Sequence, residues 1–281
     1  SGNHSVASSL LFLTMQMKPS TMLSAFVVGA FMVPAQSLAL KSFSANKRVA
    51  ADIKKNMSAT FNVPDETFEK IYTYHTWGHG EAGGKGSGTG SSMQGTAYIR
   101  PALISFVQTN QIQRMFDIPC GMMNWQMPML NQIWLTNPQF TYQGMDIASN
   151  VINTLQQTVN DPRVTLTHRD VTQSPLVLDI PDPEHTMVMS RQMLQHLSDT
   201  AICKALHHFI SIKAKFLLLD FFNKAQINAP RHDSGYPARE INLLLPPFNM
   251  PQPLQMLDDD PVYPRQMFVW NLHNLKQHKV C

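Results

Sequence analysis

Asp117, Asp146 and Asp170 each close a short apolar or alternating run, and 29 and 24 positions separate them, about one strand–helix unit each. In an open α/β sheet, ligands bind beyond the carboxyl ends of the strands, so these three carboxylates would share one rim. A carboxylate after the second strand can accept both protons of a ribose diol. One after the third strand can accept from an adenine amino group, and one in the first turn can orient an ammonium through bound water. Together they describe a nucleoside carrying a cationic amino-acid tail. A dinucleotide would instead need a Gly-x-Gly-x-x-Gly turn to bring backbone N–H groups to a pyrophosphate. Pro119 breaks that pattern, and Met122-Met123 would crowd the phosphates. Taken singly, each aspartate reads equally well as a helix cap or turn residue. Three in this order weigh toward a site.

Groups able to move a proton are fewer. His196 follows the fourth apolar run, and His232 and Tyr236 fall in the loop after the fifth. Arg239 could bind an acidic group of a substrate. The competing readings are a capping or core-edge residue for His196 and a solvated loop for His232. His75, His79 and Glu81 resemble a metal-ligand set, but Gly78 and Gly80 break the helix that would bring them together, so no metal is expected. His207 and His208 point to different faces of one helix. Cys120, Cys203 and Cys281 lack ligand spacing, and their odd count argues against a disulfide framework; Cys120 reads as a small buried filler.

The elements that must position these groups alternate. Pro64-Asp65-Glu66 is a helix start, with Phe68, Ile71 and Tyr72 on one face and an end expected near Gly78. A Gly- and Ser-rich loop spans Gly78 to Gly95. Helical spacing resumes through Met93, Ala97, Leu103, Ile104 and Val107, interrupted by Pro101. Strands are expected at Met115–Asp117, around Phe140–Asp146, around Val164–Asp170, at Met187–Met189 and at Lys215–Asp220. Helices lie between them: Val151, Ile152 and Leu155 share a face, and Ile202, Ala205, Leu206, Phe209 and Ile210 form a stripe behind a Ser198 cap. Strands alternating with helices imply right-handed βαβ units and a parallel sheet. Ile241–Leu245 and Met267–Leu272 read as two further strands, joined by a Pro-rich loop and pairing at one edge. Asn223 to Pro253 is long for a connection, which suggests a lid or substrate loop.

Composition agrees with a packed enzyme-sized domain. The 281 residues are 43% hydrophobic and only 15% charged, below the roughly 25% usual for soluble domains. That excludes a disordered chain or a nucleic-acid coat, and 22 Lys and Arg against 19 Asp and Glu form no basic run. Nucleic acid is therefore not an expected partner. Residues 1–60 read as an N-terminal extension, and residues 61–281 as the main domain. Met22 to Val33 is an apolar run behind Lys18, followed by Ser37-Leu38-Ala39, the pattern of a secretory or organellar signal. The alternative is a retained helix in a cytoplasmic protein. Either way the run is too short for a stable membrane span.

The segment Phe116-Asp117-Ile118-Pro119-Cys120-Gly121-Met122-Met123-Asn124-Trp125 resembles the D-x-P-C-G-x-x-N-W first motif of a group of class I S-adenosylmethionine-dependent methyltransferases. Further pieces occur in the family's order. They are Trp77-Gly78, Ser87–Ser92, Thr96 with Arg100, Tyr142–Ile147, Arg169–Thr172, Ser190–Leu197 and Asn242–Asn249, and the likeness runs from about Phe68 to Leu272. It implies an α/β fold: a Rossmann-like seven-stranded, mostly parallel sheet with helices on both faces, here with an N-terminal helical extension. It also implies that Asp117, Pro119 and Gly121 form the turn under the methionine moiety of S-adenosylmethionine. Asp146 and Ile147 would flank ribose and adenine, Asp170 and Val171 would hold the adenine edge, and Ser190 would sit beside the sulfonium. Trp77 and the Gly88–Ser91 loop would close over the cofactor, with Arg100 pairing to its carboxylate. Asn124, Trp125 and Arg191, inside the matched motifs, belong to the same binding set. Two positions depart: Met122-Met123 replaces an acidic or small polar pair, and Gln192 stands where an Asp often follows the Arg.

The expected chemistry is methyl transfer to an O or N atom of a small-molecule acceptor, with His196, His232, Tyr236 and Arg239 as candidate catalytic groups. The preference for a small acceptor comes from the long lid-like segment and the lack of a basic groove. Other readings are a protein or peptide methyltransferase, or a methyltransferase fold that has lost activity and serves as an interaction module. The oligomeric state is left open.

Overall fold

The computed structural model describes residues 64–260 and 265–281. The expectations for residues 1–60, including the signal-like run, lie outside the described residues. Among the described residues, no helix is long and apolar enough to cross a membrane.

The elements run in chain order as α1 (Pro64–Thr73), α2 (Ile99–Thr109), β1 (Arg114–Asp117), α3 (Gln126–Thr136), β2 (Thr141–Asp146), α4 (Ser149–Thr158) and β3 (Val164–His168). After these come β4 (Thr186–Ser190), α5 (Asp199–Ser211), β5 (Phe216–Phe221), β6 (Gln255–Asp260), β7 (Arg265–Asn271) and the short α6 (Leu272–Leu275). The seven strands form one sheet in the order β3-β2-β1-β4-β5-β7-β6. The first five are parallel, β7 is antiparallel to both neighbours, and β6 is an edge. The order reverses between β1 and β4, which opens a crevice at the carboxyl ends of the central strands.

Side chains alternate between faces along each strand, and the two faces support separate cores. Phe116, Val188, Leu217 and Leu219 join α1, α5 and the C-terminal residues on one side. Met115, Met187, Met189 and Leu218 join α2, α3 and α4 on the other. The central strands β4 and β5 are buried along their whole length, as a parallel sheet covered on both faces requires. That is why they read as continuous apolar runs. The Ser198 cap forms as expected, its hydroxyl accepting from Ala201 N at 3.2 Å.

Four local expectations need correction. Pro101 does not interrupt a helix, because α2 begins at Ile99 and places it in the first turn, where its missing N–H costs nothing. Helix α1 stops at Thr73, before the glycines. Ile241–Leu245 is not a strand: Asn242 N donates to Asn228 Oδ1 at 2.8 Å and Asn228 Nδ2 donates back to Asn242 O at 2.9 Å. Asparagine side chains thus take the place of a ladder, and the missing strand is Gln255–Asp260, whose three aspartates disguise it. Finally, Cys203 and Cys281 form a disulfide, although 78 residues separate them and no local pattern marks the pair. Cys120 is free and buried.

Candidate functional site

The crevice at the β1/β4 reversal contains two adjoining cavities. One encloses about 540 Å³ of space, its open mouth included, between α1, the turn after β1 and the residues after β4. The other, about 340 Å³, lies beyond β2 and β3. Phe68, Pro119, Asp146 and Met193 line both.

The turn after β1 sets the floor. Gly121 has φ +53°, and a Cβ there would lie 2.7 Å from Ser87 Oγ, so the position needs glycine both for its backbone and for the approach of the loop above it. Ser87 Oγ in turn accepts from Met122 N at 2.9 Å. Asp146 closes β2 and ties this turn to the next helix: Oδ2 accepts from Gly121 N at 3.0 Å, and Oδ1 from Ala148 N at 2.9 Å. A carboxylate offers about four acceptor positions, so capacity is left over. Burial raises its pKa to about 6 against the pull of these backbone N–H groups, and the side chain is still mostly ionised at neutral pH.

Asp117, one turn away, lies behind the cavity wall. Its Oδ2 accepts from Tyr142 Oη at 2.6 Å and Gln126 Nε2 at 3.0 Å, and Oδ1 is buried with no partner. Gln126 Oε1, at the first cavity, is equally unpartnered. Burial pushes the Asp117 carboxyl up to about 7. Such a group favours the fold while protonated, and the contribution fades as pH rises from about 4 through about 7. Asp117→Asn keeps the acceptor facing Tyr142 and cannot ionise. Its melting temperature is therefore expected to gain on the wild type between pH 4 and pH 8, by several degrees at the upper end; parallel melting curves across that range would contradict the assignment.

Asp170 holds a local turn, accepting from Thr172 N and Thr172 Oγ1, both at 2.7 Å. With Ile147 and Val171 it lines the second cavity. Trp77, Ser91, Pro119, Gly121, Trp125, Asp146, Arg191 and His196 line the first. Asn124 stands just outside, donating to Ser91 O at 3.1 Å; Gly88 packs on Trp77; and Ser190 is buried beside Met193. His196 packs against Trp77 with ring centroids 4.9 Å apart and the planes tilted by 37°. Burial lowers its pKa to about 4, so it is neutral at physiological pH.

Four expected residues are placed elsewhere. Arg100 donates to Met93 O at 3.0 Å and to Thr96 O at 3.3 Å, which turns its guanidinium away from the cavity. Arg239 bonds the Asp199 carboxylate and Ala229 O, stapling the loop after β5 to the start of α5. His232 is exposed, and Tyr236 is 40% exposed; neither lines either of these two cavities. The loop from Asn223 to Pro253 also lines neither. It is not a free lid, since Ile241, Leu243, Phe248 and Met250 sit in the core.

A buried charge cluster supports the rim. Arg191 grips Asp259 at 2.6 to 3.1 Å and donates to Gly90 O at 2.8 Å and Gly95 O at 3.4 Å, anchoring the Gly-rich loop to β6. Arg265 pairs with Asp220 at 3.2 Å and with Asp259 at 3.6 Å. Gln192 fits among them, its backbone N donating to Asp220 Oδ1 at 2.7 Å and its amide oxygen accepting from Arg265 Nη2 at 2.8 Å. Sequence reading missed Asp259, Arg265, Gln126 and Tyr142. Asp259 and Arg265 lie on the two antiparallel strands, far from any motif; Tyr142 reads only as a member of the alternating run ending in Asp146, and Gln126 carries no periodic signal.

No family model and no curated protein matches the sequence. Solved structures do match. PigF with SAH aligns over 80% of this chain and 68% of that chain, at 11% identity and a TM-score of 0.50. Human N-acetylserotonin methyltransferase in complex with SAM covers 79% and 65%, at 14% identity and 0.47. Magnesium protoporphyrin IX methyltransferase from Synechocystis PCC 6803 with bound SAH covers 61% and 80%, at 14% identity and 0.41. At these identities the likeness is one of fold, a Rossmann-like seven-stranded sheet.

Proposed function

We propose that residues 61–281 form an S-adenosylmethionine-dependent methyltransferase that acts on an O or N atom of a small-molecule acceptor. The observation that carries this reading is Asp146: a buried carboxylate at the end of β2, between two cavities, with acceptor capacity to spare. A ribose diol meets that geometry, with the adenine toward Ile147, Asp170 and Val171 and the methionine tail over Pro119–Gly121. The unpartnered acceptors Asp117 Oδ1 and Gln126 Oε1 fit an ammonium, directly at Gln126 and through water at Asp117. Arg100 has no part in this arrangement, and the departures at Met122 and Gln192 do not speak against it. Met122 contributes a backbone N–H to Ser87, and the Gln192 side chain completes the charge cluster.

Bound S-adenosylmethionine would supply an electrophilic methyl group. The protein's part is to orient, to exclude water and to accept a proton. Holding acceptor and donor in line accounts for up to ~7–11 kcal/mol of barrier reduction. Phe68, Trp77 and the anchored Gly-rich loop enclose the first cavity against solvent, and His196 is the base at its wall. Calorimetry with S-adenosylmethionine and its demethylated product tests the reading. Binding of both is expected; a folded protein that binds neither would falsify it.

A further inference from the structure

The first cavity has a chemical character that methyl transfer alone does not require. Phe68, Trp77 and His196 meet in one aromatic cluster: Trp77 lies 4.9 Å from His196 and 6.1 Å from Phe68, and Phe68 meets His196 edge-on at 6.5 Å. Among the described residues lining this cavity, Asp146 and Arg191 alone carry charge. Both are committed, Asp146 to the turn and the ribose position, Arg191 to Asp259 and the loop carbonyls. An acceptor bearing a charge would shed its water there and gain no counterion.

Two polar positions belong to that aromatic cluster. Trp77 Nε1 is buried without an acceptor. His196 Nδ1 lies 3.4 Å from Gly235 O, which favours the ring proton on that nitrogen and leaves Nε2 as an acceptor. The Gln195 amide nitrogen meets Nε2 at a long 3.4 Å, a contact that a hydroxyl can replace.

We infer that the acceptor is an uncharged, planar phenol, packed from the cavity against the Phe68–Trp77–His196 cluster with its hydroxyl donating to His196 Nε2. A ring-borne oxygen would accept from Trp77 Nε1. The inference rests on the methyltransferase reading and sharpens it. In the transfer, the methyl–sulfur bond of the sulfonium breaks with its electron pair left on sulfur, and the phenolic oxygen forms the new bond to carbon. The phenolic proton passes to His196 Nε2 and from there to solvent. A phenol and a sulfonium thus give an aryl methyl ether, a thioether and one proton. Burial makes His196 a weak base, which suits a phenol far better than an aliphatic alcohol of much lower acidity.

The test uses the full chain saturated with the demethylated cofactor product and three probes: 2-naphthol, its saturated analogue decahydro-2-naphthol, and the anion 2-naphthoate. Calorimetry is expected to give 2-naphthol at least about tenfold tighter binding than either other probe, with Trp77→Leu erasing the preference. Comparable or tighter binding of the saturated alcohol or the anion to the wild-type protein overturns the inference, whatever the variant does. Cofactor binding, measured first, separates the two levels. If it is present while the naphthol preference is absent, only the acceptor class falls. If it is absent, the transferase reading falls and the phenol with it.

Discussion

Replacing Asp146 with alanine is expected to remove measurable S-adenosylmethionine binding, a loss of at least about 10²-fold in affinity. The magnitude follows from what one carboxylate does in this position. Two hydrogen bonds to a charged acceptor contribute roughly 1.5–3 kcal/mol each, and the diol has no other carboxylate within the two cavities except Asp170, which is occupied by Thr172. The same substitution strips the acceptors from Gly121 N and Ala148 N, so the turn after β1 loosens as well. Water entering from the cavity can satisfy those two donors, which keeps the cost to the fold small. A thermal melt alongside the titration separates the effects: a folded variant with wild-type affinity would show that Asp146 does not hold the ribose.

Asp259→Ala is expected to be the most destabilising single change in the described structure, at about 3–5 kcal/mol. Asp259 is buried, and it is the carboxylate that balances Arg191, with Asp220 balancing Arg265. Removing it leaves two buried guanidinium groups to share one partner whose own carboxyl burial already raises to about 6. The damage reaches the site, because the Arg191 that loses its grip also holds Gly90 O and Gly95 O. Urea unfolding reports the stability, and Asp259→Asn, which preserves shape and one acceptor, should lose distinctly less. Equal and small losses in both variants would mean that the cluster contributes packing rather than charge balance.

Much of this arrangement is legible in the sequence because parallel sheets write themselves strongly. β1, β4 and β5 are buried nearly along their whole length, so their apolar runs admit few other readings, and the helix after β4 carries a clear stripe behind its Ser198 cap. The acids at the strand ends are legible because each closes a run, although only Asp146 and Asp170 line a cavity while Asp117 lies behind the wall. Legibility fails where the chain leaves that logic. The strand Gln255–Asp260 lies at an edge and carries acids, one of which, Asp259, turns inward to meet Arg191, just after β4, and Arg265 on β7. Ile241–Leu245 has the apolar content of a strand, but asparagines at 228 and 242 satisfy its backbone. Arg100 and Arg239 have the right chemistry for a ligand and the wrong direction, since backbone carbonyls and Asp199 claim them first. Spacing predicts which element a side chain is on; it does not predict which neighbour reaches it first.

The bond between Cys203 and Cys281 ties the segment after α6 covalently to α5. The exposed stretch around His232 and Tyr236 lies inside the ring so closed. A protease that nicks this stretch would therefore yield two pieces still joined covalently, migrating as one band on a denaturing gel until a thiol is added. Intactness of a preparation judged without reductant would be illusory.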